Sequence, residues 1–307
     1  MGTTYSIKIN EADLPFPAEK INADVNDILI DVNNKMSTYI DDSELSLINQ
    51  NNTQDWMPLS QDLHYVISEA ILISELTQGS FDITVGPLVN MWGFGPSKQS
   101  QEVPLEADIN EALAGIGFQN ISLRDTNTAI HKLKSDIYID LSGIAKGYGV
   151  DLMAEYLEQH NINNYMVEIG GEIRAKGVNI KNHAWRIGIE QPLTKQRNVQ
   201  RIIQLDNISM ATSGDYRNYF EQDGIRYSHT IDPRNGRPIT HKLVSVTVLH
   251  ESTTRADALA TGFLVMGKED AYKLALEKNL PVLFIEKTDD GFTESYTDAF
   301  NDYILEQ

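Results

Sequence analysis

Two short stretches of the sequence carry residue types that suit phosphate and metal chemistry. The first, DLSGIAKGYG at residues 140–149, places Asp140 and Gly143 just before a predicted helix over 144–160, with Lys146 in its first turn. Free N–H groups and a partial positive charge at a helix N-terminus suit an anion, and the lysine can reach a phosphate oxygen. The stretch lacks the order Gly-x-x-x-x-Gly-Lys-Ser/Thr of the common phosphate loop. A glycine-rich turn with a surface lysine therefore remains an alternative.

The second stretch, TTRADALATG at residues 253–262, is typical of a helix. Asp257 and Thr261 are four residues apart, so they share one helical face. A carboxylate and a hydroxyl on one face can both ligate a hard cation such as Mg²⁺, which prefers oxygen ligands. In the alternative interpretation, Asp257 complements the dipole of its own helix and Thr261 faces the core. The spacing leaves both interpretations open.

A third stretch, YSHTIDPRNGRPI at residues 227–239, contains a histidine beside a rigid turn. We predict a strand that carries His229 and runs into Asp232-Pro233, followed by a turn at Asn235-Gly236. His229 could act as a general base or as a phosphate ligand. A hairpin turn with an incidental histidine is the alternative.

Aromatic residues are concentrated in GSFDITVGPLVNMWGFGP, residues 79–96, for which we predict a strand and a shaped loop. Phe81, Met91, Trp92 and Phe94 could form the wall of a site for a flat aromatic ligand, and Tyr39 could add a stacking face. Core packing is the alternative, because it is the usual location of such side chains.

The remaining patterns predict the elements that must position these residues. Further helices are predicted over 21–36, 60–76 with Ser60 as N-cap, near 108–114, near 254–265 and over 268–279. Strands are predicted over 3–9, 136–143, 165–169, 172–178, 185–190, 201–208, 225–231, 243–250 and 281–286, with hairpin turns at 125–128 and 222–224. Gly170 and Gly171 lie within a strand pattern, which indicates a bulge or a ligand close to the backbone. Strands and helices without strict βαβ alternation favour an α+β fold over a doubly wound sheet.

Composition restricts the classes of partner. The chain has 307 residues, a formal net charge of −19 and no cysteine. Such an acidic chain is a poor candidate for binding nucleic acid or anionic membranes, although a metal ion can supply local positive charge for a polyanion. The lack of cysteine excludes disulfides, zinc thiolate sites and thiol nucleophiles. No apolar run approaches the roughly 20 residues that span a membrane.

Taken together and in order, the motifs resemble those of the ApbE-type FAD:protein FMN transferases. They are MGTTYSIKI, MSTYIDDSELSLIN, GSFDITVGPLVNMWGFGP, YIDLSGIAKGYGVD, VEIGGEIRAKG, SHTIDPRNGRPI and ADALATGFLVMG, from residue 1 to about residue 290. The resemblance implies one α+β domain over 1–307, a mixed and mainly antiparallel sheet with packed helices. It also implies FAD as substrate, Mg²⁺ as cofactor, and transfer of FMN to a threonine or serine hydroxyl of a partner protein, with AMP as leaving group.

The resemblance also implies roles for individual residues of this chain. The positions that match FAD contacts are Met1, Tyr39, Ser80, Phe81, Asp82, Asp140, Lys146 and Ile231. The positions that match metal ligands are Gly143 through its carbonyl, and Asp257 and Thr261 through their side chains. His229 matches the histidine beside the pyrophosphate, and it or a partly free Asp257 is the candidate base. One departure is Ala260, where some members carry a second acid before the ligand threonine.

The resemblance further implies acceptor flavoprotein subunits of membrane redox complexes as partners. It places the protein on the periplasmic side of a bacterial inner membrane. We therefore expect a signal or lipid anchor to precede residue 1 in the natural protein. Two alternatives to transfer remain: an FAD pyrophosphatase that releases FMN and AMP, and a non-catalytic FAD-binding protein.

Overall fold

The computed structural model of the chain describes residues 2–10, 14–96, 101–193, 198–216 and 218–305. Its α-helices are α1 Ala18–Met36, α2 Glu44–Gln50, α3 Gln61–Leu76, α4 Gly86–Met91, α5 Glu106–Gly115, α6 Ala145–Gln159, α7 Thr253–Met266 and α8 Lys268–Glu277. Its strands are β1 Tyr5–Ile9, β2 Met57–Pro58, β3 Ile121–Arg124, β4 Ala129–Lys132, β5 Tyr165–Ile169, β6 Glu172–Lys176, β7 Trp185–Glu190, β8 Val199–Leu205, β9 Ile208–Gly214, β10 Tyr219–Gln222, β11 Ile225–Ser228, β12 Ile231–Asp232, β13 Arg237–Pro238, β14 Leu243–His250, β15 Val282–Thr288 and β16 Gly291–Tyr296.

A seven-stranded sheet with the order β1-β5-β6-β9-β14-β15-β16 forms the centre of the molecule. Every pairing between neighbouring strands of this sheet is antiparallel. Smaller antiparallel sheets are formed by β2-β4-β3, β7-β8, β10-β11 and β12-β13. The predicted α+β class with a mainly antiparallel sheet is confirmed.

Side chains alternate between the two faces of the central sheet along each strand. Both faces are covered by other elements. In β5, Tyr165, Val167 and Ile169 pack against α1 and α6, whereas Met166 packs on the other face with the β7-β8 hairpin. In β14, Val246 faces the helical layer that contains α7. The helices α6 and α7 thus lie side by side on one face of the sheet, and this layer positions the candidate site.

Local sequence signals explain several boundaries. The hydroxyl of Ser60 accepts a hydrogen bond from the backbone N–H of Leu63 over 3.2 Å, so the predicted N-cap of α3 is confirmed. The predicted turn between β10 and β11 is also confirmed: Asp223 and Gly224 both have positive φ, as a tight hairpin turn requires.

Two predicted strands next to the site are absent. Residues 79–96 form turns and the short helix α4, and residues 136–143 form an irregular segment that begins and ends in turns, outside any sheet. The amide of Asn49 replaces a neighbouring strand for this segment: its Oδ1 accepts from Ile139 N–H and its Nδ2 donates to the Ile139 carbonyl, each over 2.8 Å. Asp140 N–H donates to the carbonyl of Ile83 over 2.7 Å, which joins the two segments.

Two further predictions need correction. The strand predicted over 201–208 is divided at Asn207, whose φ of 52° turns the chain between β8 and β9. Gly170 and Gly171, with φ of 61° and 110°, form the tight turn between β5 and β6 rather than a bulge within one strand.

Candidate functional site

A cavity of about 360 Å³ opens between the α6–α7 layer, the loops at 80–85 and 140–143, and the segment after β11. Ten of the twelve candidate catalytic, FAD-contact and metal-ligand residues lie along its wall: Ser80, Phe81, Asp82, Asp140, Gly143, Lys146, His229, Ile231, Asp257 and Thr261. They come from four separate stretches of the chain, 80–82, 140–146, 229–231 and 257–261, which the fold brings to one place.

Asp257 joins α6 to α7 at the base of the cavity. Its Oδ2 accepts a hydrogen bond from the backbone N–H of Gly147 over 3.0 Å, and its Oδ1 lies 3.2 Å from Nζ of Lys146. An added Cβ on Gly147 would lie 2.3 Å from the carbonyl oxygen of Thr253. A glycine is therefore needed for the two helices to approach closely enough for this contact.

Lys146 also pairs with a second carboxylate. Its Nζ lies 3.0 Å from Oε1 of Glu172, the first residue of β6. Burial disfavours the charged lysine, but Asp257 and Glu172 outweigh this effect and raise the pKa of Lys146 above its ordinary value. Burial also raises the pKa of Glu172 to about 7, although the charge of Lys146 opposes the rise. The lysine is therefore a fixed cation beside the cavity.

Thr261 lies one turn beyond Asp257 on α7, as the spacing predicted. The hydroxyls of Thr261 and Ser213 are 3.0 Å apart, so β9 holds the Thr261 side chain from the other side. A Cβ on Gly143 would lie 3.4 Å from the Thr261 hydroxyl oxygen and 3.1 Å from the Phe81 ring. The backbone at Gly143 consequently passes close to Thr261.

Two aspartates shape the loops of the cavity. Oδ1 of Asp140 accepts hydrogen bonds from the backbone N–H and the hydroxyl of Ser142 over 2.8 and 2.5 Å. Asp82 accepts from the N–H and hydroxyl of Thr84 and from the N–H of Phe118, and burial raises its pKa despite these bonds. Both carboxylates thus fix backbone geometry, a role that spacing alone did not reveal.

His229 lies just after β11, not on a strand as predicted, because β11 ends at Ser228. Its Nδ1 is 3.0 Å from the carbonyl oxygen of Asn218. A carbonyl oxygen only accepts hydrogen bonds, so Nδ1 must carry the proton and Nε2 the lone pair. Burial lowers the pKa of His229 below its ordinary value, although the bond to Asn218 opposes the fall. The ring is therefore neutral near pH 7.

Tyr39 lies in an adjacent cavity of about 630 Å³, formed by the C-terminal end of α1 and the loop after it. Ser142 and Lys146 line both cavities, which therefore meet at the start of α6. Tyr39 is 69% exposed and can cover a ligand in that cavity. The prediction for Met1 concerns a position outside the described residues.

The two interpretations of the aromatic residues in 79–96 each hold for different residues. Phe81 lines the first cavity, but Trp92 is buried in a separate core, where it stacks on Tyr227 at 5.5 Å and donates to the Gly236 carbonyl. Met91 and Phe94 pack against the same core. Core packing accounts for these three residues.

Comparison with known proteins identifies the family. The sequence model of the ApbE family matches residues 1–284. A protein named FAD:protein FMN transferase from Vibrio cholerae is 48% identical over 304 residues, which cover 99% of this chain and 90% of that protein. Its namesake from Haemophilus influenzae is 48% identical over 307 residues, covering 98% and 88%.

The chain belongs to the ApbE family. Among solved structures, the flavin transferase ApbE from Vibrio cholerae superposes with a TM-score of 0.91 at 47% identity, covering 99% of this chain and 96% of that one. The apo form of the Pseudomonas stutzeri flavinyl transferase ApbE gives a TM-score of 0.90 at 36% identity, covering 99% and 94%. The fold of the ApbE family is thus reproduced over nearly the whole chain.

Glu172 and Ser213 are cavity residues to which the sequence analysis gave no role. Glu172 follows the paired glycines of the ApbE-type motif VEIGGEIRAKG, so an acid directly after a tight turn was the available signal. Ser213 lies in β9 without any distinguishing pattern. Its importance depends on the contact with Thr261, which is 48 residues away in sequence.

The donor set suits a hard cation held by few carboxylates. Among the residues that the structure describes, no group of three or more His, Cys, Asp or Glu side chains is placed to hold a metal ion. Asp257, the Thr261 hydroxyl and the nearby Gly143 backbone instead offer oxygen atoms of three kinds, which fit Mg²⁺ when a ligand and water complete its coordination. Ala260 is fully buried in the core and adds no donor.

Proposed function

We propose that this chain transfers the FMN part of FAD to a threonine or serine hydroxyl of a partner protein in a Mg²⁺-dependent reaction. The observation that carries the proposal is one cavity that combines a lysine between carboxylates with a neutral histidine whose Nε2 is free of the proton. Membership of the ApbE family and the activity for which its relatives are named support the same reaction.

The two cavities suit a long ligand with a ring system at each end. They meet at Ser142 and Lys146, so the pyrophosphate of FAD would lie beside the start of α6. A helix N-terminus and a fixed lysine both favour phosphate oxygens at that point. Phe81 and Ile231 in one cavity and Tyr39 in the other supply apolar surface for the rings.

The transfer needs a base, because a threonine hydroxyl is a weak nucleophile near neutral pH. The acceptor oxygen forms a bond to the phosphorus of the FMN half, and the bond from that phosphorus to the bridging oxygen breaks. The bridging oxygen leaves with AMP, and Nε2 of His229 takes the hydroxyl proton. The bond from Nδ1 to the Asn218 carbonyl keeps the ring in the tautomer that this step requires.

Asp257, Thr261 and the Gly143 carbonyl would hold Mg²⁺. When bound, the metal supplies positive charge that stabilises the phosphate under attack and the leaving AMP. Lys146 provides a second, permanent positive charge at the same phosphates. An acidic chain can in this way accept a substrate that is itself an anion.

The partner and the location belong to the same proposal. Acceptors would be flavoprotein subunits of membrane redox complexes, and the protein would act on the periplasmic side of the inner membrane. No helix in the described part of the chain is both long and apolar enough to cross a membrane.

An acceptor domain with one target threonine tests the proposal. Incubation with FAD and Mg²⁺ should give a fluorescent flavin band on the acceptor in a denaturing gel, and a threonine-to-alanine acceptor should give none. AMP release at the same rate without acceptor, and no band, would identify an FAD pyrophosphatase. Bound FAD with neither product would identify a non-catalytic FAD-binding protein.

A further inference from the structure

Lys146 lies between two carboxylates at the wall of the cavity. Its Nζ is 3.0 Å from Oε1 of Glu172 and 3.2 Å from Oδ1 of Asp257. The two acids come from different elements, the start of β6 and the middle of α7. One lysine thus serves two acids, which compete for the same ammonium group.

Asp257 already has two partners before the proposed metal is added. Oδ2 accepts the N–H of Gly147, and both oxygens lie within 3.5 Å of Lys146. The proposed function adds a divalent cation to the same carboxylate. A cation that binds there must weaken the pair between Asp257 and Lys146, because like charges repel at such distances.

Glu172 is held in place beside Lys146 by burial and by the backbone before it. It is only 3% exposed, and its Oε2 is buried and accepts no hydrogen bond from any residue that the structure describes. The tight turn at Gly170 and Gly171, both with positive φ, fixes the backbone immediately before it. A buried, half-satisfied carboxylate is costly, so its retention beside Lys146 requires a compensating use.

We propose that Glu172 is a positioning residue that holds Lys146 at the phosphates when Asp257 engages the metal. This inference rests on the metal site of the proposed function. In the metal-free protein Lys146 is shared by the two acids, and with metal bound it is held by Glu172.

A substitution at Glu172 should therefore weaken Mg²⁺ binding without weakening the binding of FAD in the absence of metal. In Glu172→Gln, Lys146 pairs with Asp257 alone and competes with the metal, so the metal binds more weakly. Without metal, the loss of one negative charge beside the phosphates leaves FAD affinity equal or higher. A general structural defect would instead weaken FAD binding under both conditions.

Flavin fluorescence titrations with FAD, in EDTA and in saturating Mg²⁺, measure how much Mg²⁺ tightens FAD binding when no acceptor is present. The factor by which Mg²⁺ tightens FAD binding should fall about tenfold in Glu172→Gln. Glu172→Asp, which keeps the charge, should recover part of the factor. Glu168→Gln is the matched control, because Glu168 lies on the same hairpin but bonds to Ser6 instead.

The outcomes separate this inference from the proposed function. An unchanged factor in Glu172→Gln, or an equal loss of affinity in EDTA and in Mg²⁺, would overturn the role of Glu172. Either result leaves the metal site intact if Asp257→Asn abolishes the Mg²⁺ effect. If Mg²⁺ has no effect on wild-type FAD binding, the metal assignment itself is wrong, and this inference is overturned with it.

Discussion

The backbone N–H of Gly147 donates a hydrogen bond to Oδ2 of Asp257 across 3.0 Å, and so connects the first turn of α6 to the middle of α7. The adjacent Lys146 reaches the other oxygen of the same carboxylate. The helix start proposed to bind phosphate and the helix face proposed to bind Mg²⁺ are therefore held in a fixed relation. Asp151 strengthens this relation one turn further on, where its carboxylate accepts the N–H groups of Thr253 and Thr254 over 2.9 Å.

Gly147→Ala tests how closely the helices must approach. The added Cβ would lie 2.3 Å from the Thr253 carbonyl oxygen, so the helices must separate. We expect the free energy of unfolding in urea to fall by about 1–3 kcal/mol. Gly115→Ala is the control, since nothing lies within 4 Å of its Cβ and its φ is not positive. Equal stability of the two variants would contradict the close packing described here.

Asp257→Asn tests the carboxylate that the proposed metal requires. The amide keeps the shape but loses the charge, so we expect turnover of FAD to fall by at least about 100-fold at saturating Mg²⁺. The exposed Asp270→Asn on the neighbouring helix α8 serves as control and should retain full turnover. Steady-state AMP release measures both. Wild-type turnover in Asp257→Asn would exclude Asp257 from the metal site.

Protonation of His229 should determine how the rate of FMN transfer falls at low pH. Burial lowers its pKa below the ordinary value of 6.5, so the neutral base is present above that pH and is lost as the pH falls through the lowered pKa. The rate of FMN transfer at low substrate should therefore decrease only below pH 6.5. His229→Asn should lose this decrease and about 100-fold or more of the rate. An unchanged decrease in the variant would assign it to another group.

Ser213→Ala tests whether Ser213 orients Thr261, the proposed metal ligand. Ser213 and Thr261 share a hydrogen bond of 3.0 Å, and partners of this kind orient the residues that bind a metal. We expect the Mg²⁺ concentration for half-maximal turnover to rise about tenfold while the maximal rate changes little. Ser6→Ala on β1 of the same sheet is the control. A lower maximal rate with unchanged Mg²⁺ dependence would contradict this role.

The sequence allowed much of the fold to be predicted, and particular residues show why. Periodicity located α1, α3, α6 and α7, because each buries one face against the sheet or a neighbouring helix. Residues 136–143 alternate like a strand, but their backbone partner is the side chain of Asn49, and no local pattern identifies such a contact. The α+β class followed from the order of elements, whereas the antiparallel order of the seven strands depends on tertiary pairing.

The candidate site also contains residues that local sequence identifies and residues that only tertiary contacts identify. Asp257 and Thr261 follow from helical spacing, and Lys146 from its place at a helix start. Glu172 could not be assigned in this way, because its role depends on a lysine 26 positions earlier that a hairpin brings within 3.0 Å. For Trp92 the sequence left a ligand wall and core packing both open, and the structure places it in a core of its own. The order of the motifs identified the family, whereas the roles of Glu172 and Trp92 depend on contacts between residues distant in sequence.

The most direct measurement compares two products in one reaction. The protein, FAD, Mg²⁺ and an acceptor domain are mixed, and AMP release is measured against FMN bound to the acceptor by intact mass. The transfer reaction predicts one AMP for each covalent FMN, with both products lost when the target threonine is replaced by alanine. AMP in large excess over bound FMN, or AMP release that persists without the threonine, would contradict transfer and indicate hydrolysis.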